Sequence, residues 1–283
     1  MHTTFAPTRD TAASSGFAPL RGVALVIHGL NVNPARMQPL ADVLRRHGIA
    51  VVLCTLRGHG ENYTPLADWA NDAARLSALR QVRYADWQAE VAAAYQQAAA
   101  CARPTGAPIF LVAFSLGALL GCDLLATAVD IHFARMVLLA PALALHPYCH
   151  LPALLARWPH LSIRSRAPSF YRANPVTPIA AYQALYTALR HVHRQPTPAL
   201  NIPTLVLIDP ADELVSFQGI GRFIHKHALT QWHIQLIHKA TAAPFHHLIL
   251  DSASVGPLVW QRMVEQIIRH LIGKSANAAD DHA

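Results

Sequence analysis

Six short runs of Val, Ile and Leu recur along this chain, at 22–28, 49–55, 108–114, 134–140, 203–208 and 232–238. Their apolar character is continuous rather than alternating. A strand with one wet face alternates apolar and polar residues, whereas an unbroken run is covered on both faces, as parallel strands are. Helix-length segments lie between them at 34–47, 84–103, 116–129 and 217–227, and a last one at 254–271 closes the chain. Asn33 before Pro34 reads as a helix N-cap followed by proline at the first helical position. The alternation predicts an α/β fold: a mostly parallel open sheet of about six or more strands, helices on both faces and right-handed crossovers.

One stretch interrupts the pattern. Residues 141–201 hold no clear buried strand and are rich in Pro, His, Arg and aromatics, among them Tyr148, Trp158, Phe170 and Tyr186. The stretch leaves the C-terminal end of one strand and returns just before the next. It is therefore expected to be a helical insertion overhanging the crevice where open α/β sheets bind ligands, a lid. The predicted organisation is a flexible N-terminus at 1–20, a core from 21–140 and 202–273, the insertion at 141–201 and a disordered tail at 274–283.

Composition narrows the function classes. Of the 283 residues 53% are hydrophobic, ample for a large core, and 14% are charged, too few and too interspersed for disorder. The net charge of +7 comes almost wholly from arginine, Lys226, Lys239 and Lys274 being the only lysines. The arginines are scattered with no basic run, which argues against nucleic acid and is compatible with weak attraction to an anionic lipid surface. The four cysteines lack metal spacing, and no His/Asp/Glu cluster shows the helical His spacing of a zinc site. Residues 1–19 have no apolar signal core, and the apolar stretch 107–122 is short of the roughly 20 residues of a membrane span. A cytoplasmic protein with no metal or organic cofactor is expected.

The chemistry centres on Ala113-Phe114-Ser115-Leu116-Gly117, which follows an apolar strand and opens an apolar helix. A serine in a sharp strand-to-helix turn projects its hydroxyl from strained backbone, and small residues two before and two after it let strand and helix approach. The N–H of Leu116, at the helix N-terminus, is placed to stabilise an oxyanion. Val26-Ile27-His28-Gly29-Leu30 ends the first strand: Gly29 lets the loop pass close to the serine, the N–H of Leu30 is a second oxyanion donor, and His28 reads as a structural residue.

Together these stretches resemble the α/β-hydrolase superfamily, with Ala113 where that motif has a glycine. Arg57-Gly58-His59-Gly60 is similar to the loop of its monoacylglycerol lipase, lysophospholipase and carboxylesterase (serine aminopeptidase-type) branch. The resemblance covers about 22–271. It implies Ser115 as nucleophile, followed in the chain by an acid and then a histidine. The acid slot after the strand at 203–208 falls on Asp212, with Asp209, where a glycine is usual, and Glu213 as alternatives. The relatives carry an aspartate five positions after the base; counting back from Asp251 gives His246, with His247 as the alternative. The implied activity is hydrolysis of a small-molecule carboxylic ester with an apolar acyl group. Thioesters and N-terminal peptide bonds stay open, and so does a non-catalytic homologue that binds an apolar ligand. Dehalogenase and epoxide hydrolase chemistry is excluded, because both need an aspartate in place of Ser115.

Overall fold

The apolar runs become the strands of one sheet in the computed structural model, which describes residues 20–60, 69–194, 198–240 and 243–273. The expectations for residues 1–19 and 274–283 lie outside them. In chain order the strands are β1 (Gly22–Ile27), β2 (Ile49–Cys54), β3 (Ile109–Phe114), β4 (Arg135–Leu139), a short pair β5 (Ser162–Arg164) and β6 (Val176–Pro178), then β7 (Thr204–Ile208) and β8 (Trp232–Leu236). Six form a sheet in the order β2-β1-β3-β4-β7-β8, every neighbour parallel.

The helices are α1 (Gln38–Arg46), α2 (Trp69–Arg80), α3 (Tyr84–Ala102), α4 (Leu116–Thr127), α5 (Ile179–Arg194), α6 (Phe217–Lys226), α7 (Ser252–Val255) and α8 (Pro257–Ile272). Successive strand residues feed opposite layers, since side chains alternate across a strand. Leu25, Leu111, Leu138 and Val206 pack with Trp87, Leu120, Leu185 and Phe223 from α3, α4, α5 and α6. Val26, Val112, Val137 and Leu207 pack on the other face with Leu40, Leu44, Met263 and Ile267 from α1 and α8. Both faces are covered, which is why the strands read as unbroken apolar runs.

From β1 the chain moves outward to β2, then returns past β1 to β3. The order therefore reverses between β1 and β3, and a crevice opens at their C-terminal ends. Asn33 caps the first helical turn as expected, its side chain accepting from the Ala35 N–H at 3.0 Å, although that turn is a 3-10 helix before α1 begins. The closing helix is broken: Gly256, at φ 87°, separates α7 from α8.

The 141–201 segment departs most from expectation. Its last part is α5, whose Ala181, Ala184, Leu185, Ala188 and Val192 are buried against the core on the α3–α4 face. A helix packed this way is a structural layer rather than an overhanging lid. α5 does not stand out in a stretch crowded with His, Arg and Pro, although its apolar spacing is helical. The segment also contains the antiparallel pair β5–β6.

A polar cluster ties α5 to its neighbours. Asp123 of α4 is fully buried and accepts from the Tyr84 hydroxyl at 2.5 Å, while His191 Nδ1 of α5 lies 2.6 Å from its other oxygen. Burial first, then the Asp123 carboxylate, push the Tyr84 phenol above its usual range. A buried carboxylate deprived of its partners, or partners deprived of it, is strongly unfavourable. Asp123→Ala is expected to lower the unfolding free energy by about 3 kcal/mol, and Asp123→Asn, which keeps an acceptor for Tyr84, by about 1 kcal/mol. Urea denaturation monitored by circular dichroism checks both.

Candidate active site

The serine turn has the strained geometry its sequence implies. Ser115 sits at φ 51° and ψ −113°, a region L side chains rarely occupy. Its N–H donates to the Leu139 carbonyl at 2.9 Å, and its own carbonyl accepts from Leu119 and Ala142 at 3.2 and 3.1 Å, so both chain directions are fixed. Gly117 makes the turn compatible with the sheet: a Cβ there would lie 2.5 Å from the His28 carbonyl oxygen and 2.6 Å from that of Ile27. Ala113, two residues before the serine, is wholly buried between Ile27 and Leu138, and its methyl is accommodated.

The acid loop after β7 and the histidine loop after β8 converge on this turn. The Ser115 hydroxyl donates to His247 Nε2 at 2.9 Å, and His247 Nδ1 donates to Asp212 Oδ2 at 2.8 Å. The imidazole is 8% exposed, the Asp212 side chain 1%. The other Asp212 oxygen accepts from the Leu214 and Val215 N–H groups, both at 2.8 Å. Burial pushes the Asp212 carboxyl up, but the His247 ring and those two N–H groups outweigh it and hold the group below its usual value. Phe114 packs its ring 4.9 Å from that of His247.

The position of the histidine corrects the sequence expectation. His246 does not meet Ser115 through any described bond; its Nδ1 donates to Asp209 Oδ2 at 2.9 Å. Asp251, the N-cap of α7, lies four positions after His247, not five. The count back from Asp251 therefore lands one residue early, and His246 is kept busy by Asp209, the carboxylate standing where a glycine is usual. Asp212 meets His247 rather than His246, and Glu213 takes a third part: one of its oxygens accepts both the His246 and His247 N–H groups, at 2.9 and 3.0 Å. Lys239 completes the loop by donating to the Phe245 and Leu248 carbonyls. Burial lowers the Lys239 ammonium below its ordinary value, against the pull of Asp209, Glu213, Asp212 and Asp251. Neither role was legible from spacing alone.

Leu30 follows Gly29, where an added Cβ would lie 3.1 Å from the Ser115 Cβ and 2.7 Å from the Phe114 ring. Only a glycine lets this loop lie against the nucleophile turn. Leu116 begins α4, whose first backbone donors have no intrahelical acceptor. Two buried histidines hold the Leu30 loop. His28 Nδ1 donates to the Gly29 carbonyl, and its Nε2 accepts from Leu56. His59 Nδ1 donates to the Arg57 carbonyl, and its Nε2 accepts from Asn31 at 2.8 Å. The Arg-Gly-His-Gly loop thus supports the Leu30 loop. Asn31, at φ 54°, also exchanges hydrogen bonds with Asn174 and donates to Thr177. A separation of 143 residues hid this pair from sequence reading.

Both rings accept at Nε2, so both must be neutral. Burial lowers His28 to about 4 and takes His59 well below its usual value. Because the unfolded chain binds these protons near pH 6.5, stability present at neutral pH is lost as the pH falls from 6.5 toward 4. From His28 alone the loss between pH 7 and 5 is on the order of 2 kcal/mol. Urea unfolding at both pH values should show a smaller difference in His28→Gln, which keeps an acceptor for Leu56 and does not titrate.

Among the described residues no group of His, Cys, Asp and Glu could hold a metal ion, and no helix is long and apolar enough to cross a membrane. The family model described as serine aminopeptidase, S33 matches residues 18–252. Among solved structures the chain is similar to one reported with LipS and LipT, two metagenome-derived lipolytic enzymes, at 21% identity over 89% of this chain and 93% of that one, TM-score 0.66. It is similar to a soluble variant of monoglyceride lipase from Saccharomyces cerevisiae at 15% identity, 91% and 89% coverage and TM-score 0.69. It is also similar to monoacylglycerol lipase of Paleococcus ferrophilus at 19% identity, 89% and 96% coverage and TM-score 0.63. No curated protein matches. At these identities the structural likeness is one of fold, and the family rests on the match across most of the sequence: the chain belongs to the serine aminopeptidase, S33 family of α/β hydrolases.

Proposed function

We propose that the chain hydrolyses carboxylic esters with an apolar acyl group by way of an acyl-enzyme, with Ser115 as nucleophile, His247 as base and Asp212 orienting the imidazole. The observation that carries this reading is the unbroken line of two hydrogen bonds from the Ser115 hydroxyl through His247 to Asp212. In the first step Oγ attacks the ester carbonyl as His247 takes its proton. The resulting oxyanion is held by the N–H groups of Leu30 and Leu116, a contribution of roughly 3 kcal/mol per donor. The imidazolium then protonates the departing alcohol. In the second step a water gives its proton to His247, attacks the acyl carbon and releases the acid, restoring Ser115. Asp212, held ionised by its backbone donors, keeps Nδ1 protonated and Nε2 free to accept.

An apolar substrate is supported by the surface of the 141–201 segment. Tyr148, Leu151, Leu154 and Trp158 are largely exposed there, just beyond residues bonded to the acid loop. Arg157, Arg164 and Arg166 lie in the same stretch, and a weak association with anionic lipid surfaces is part of this reading.

Hydrolysis of p-nitrophenyl esters from acetate to palmitate, beside an aminoacyl p-nitroanilide, tests the substrate class; higher kcat/KM on the amide would overturn the ester reading. Ser115→Ala is expected to abolish labelling by a fluorophosphonate, and His247→Ala to lower kcat by about 10^4-fold or more. Loss of labelling in His246→Ala with labelling retained in His247→Ala would reverse the choice of base.

A further inference from the structure

Three carboxylates follow β7 within one short loop, and all three grip the same His246-His247 dipeptide: Asp209 the first ring, Asp212 the second, Glu213 both backbone N–H groups. The backbone of this dipeptide is thus already secured by Glu213, and its flanking carbonyls by Lys239. The bond between Asp209 and His246 fixes the first ring as well. It also adds a second ionisable couple beside the first, the His246 ring 16% exposed and the Asp209 side chain 4%.

We propose that Asp209 and His246 are positioning residues for the reaction, a second carboxylate–imidazole couple whose charge sets the pH at which the neighbouring His247 can serve as base. The proposal rests on His247 being that base. Charges on adjacent residues in a largely water-excluded site act on each other. The other charged groups around the dipeptide are Asp212, on the His247 ring, Glu213, on the two backbone N–H groups, and Lys239, on the flanking carbonyls, with Asp251 acting on Lys239. His146 donates at the Asp212 carbonyl, and Ser115 lies at the His247 ring. Asp209 further accepts from the Ala211 and Lys239 N–H groups, which fix its carboxylate in place.

The two members of the couple should act with opposite sign. A proton on His246 disfavours a proton on His247, whereas the Asp209 carboxylate favours it. The test is the pH profile of kcat/KM on a p-nitrophenyl ester for His246→Asn and Asp209→Asn, both of which keep hydrogen-bonding groups in place. The acid limb is expected to move to higher pH in His246→Asn and to lower pH in Asp209→Asn, each by about half a pH unit. The double variant should return near the wild-type position. The rate of fluorophosphonate labelling against pH supplies the same reading where turnover is low. Limbs that stay in place, or move together, would overturn the couple while leaving Ser115, His247 and Asp212 intact. A wild-type chain that neither turns over nor labels would overturn the reading of the site itself, and the couple with it.

Discussion

A serine held at φ 51° is the constraint on which the rest of this structure turns. That backbone is unfavourable by about 1–3 kcal/mol and persists only where its surroundings over-determine it. Here β3 enters from one side and α4 leaves on the other, with Gly117 seated against the carbonyls of Ile27 and His28. The parallel sheet sets β1 beside β3, and the helix beginning at the nucleophile can only leave over the end of β1. The Leu30 loop is the direct continuation of that strand. The Ser115 turn and the Gly29-Leu30 loop are therefore adjacent because of strand order, before any side chain is considered.

The remaining parts reach this turn on loops, and loops need anchors. The 141–201 segment provides two. At its start, Leu145 bridges to Val215, His146 donates to the Leu214 carbonyl and the Tyr148 hydroxyl to that of Glu213, all in the acid loop. Further on, Val32 bridges to Arg172, while Asn174 and Thr177 bond Asn31 in the Leu30 loop. α5 then locks the segment into the helical layer. The stretch expected to overhang the crevice instead braces the acid loop and the Leu30 loop.

The legibility of all this in the sequence follows the range of the interactions. Strands covered on both faces produce unbroken Val/Ile/Leu runs, so the six sheet strands were readable nearly to the residue. The turn at Ser115 was readable because strand, small residues and helix are contiguous. The choice between His246 and His247 was not, because it depends on a partner 37 residues away: Asp209 turns a spare histidine into a bonded one. Asn31 with Asn174, and α5 with Asp123, were hidden for the same reason. Their meaning lies in contacts between distant segments, and their local sequence reads as ordinary loop or polar helix.

Placing Asp209, Asp212 and Glu213 so close together would be unfavourable in isolation, since like charges in a buried site repel. The structure resolves this by giving each carboxylate its own fixed donors. Asp212 has two backbone N–H groups and an imidazole, Glu213 has two backbone N–H groups, and Asp209 has two backbone N–H groups and the other imidazole. Lys239, with no carboxylate bonded to its ammonium but four acting on it, compensates the cluster while its hydrogens hold two carbonyls of the histidine loop. The three carboxylates and the two imidazoles thus meet in one place with every carboxylate held by donors of its own. The second of these carboxylate–imidazole bonds exists because Asp209 stands where a glycine is usual.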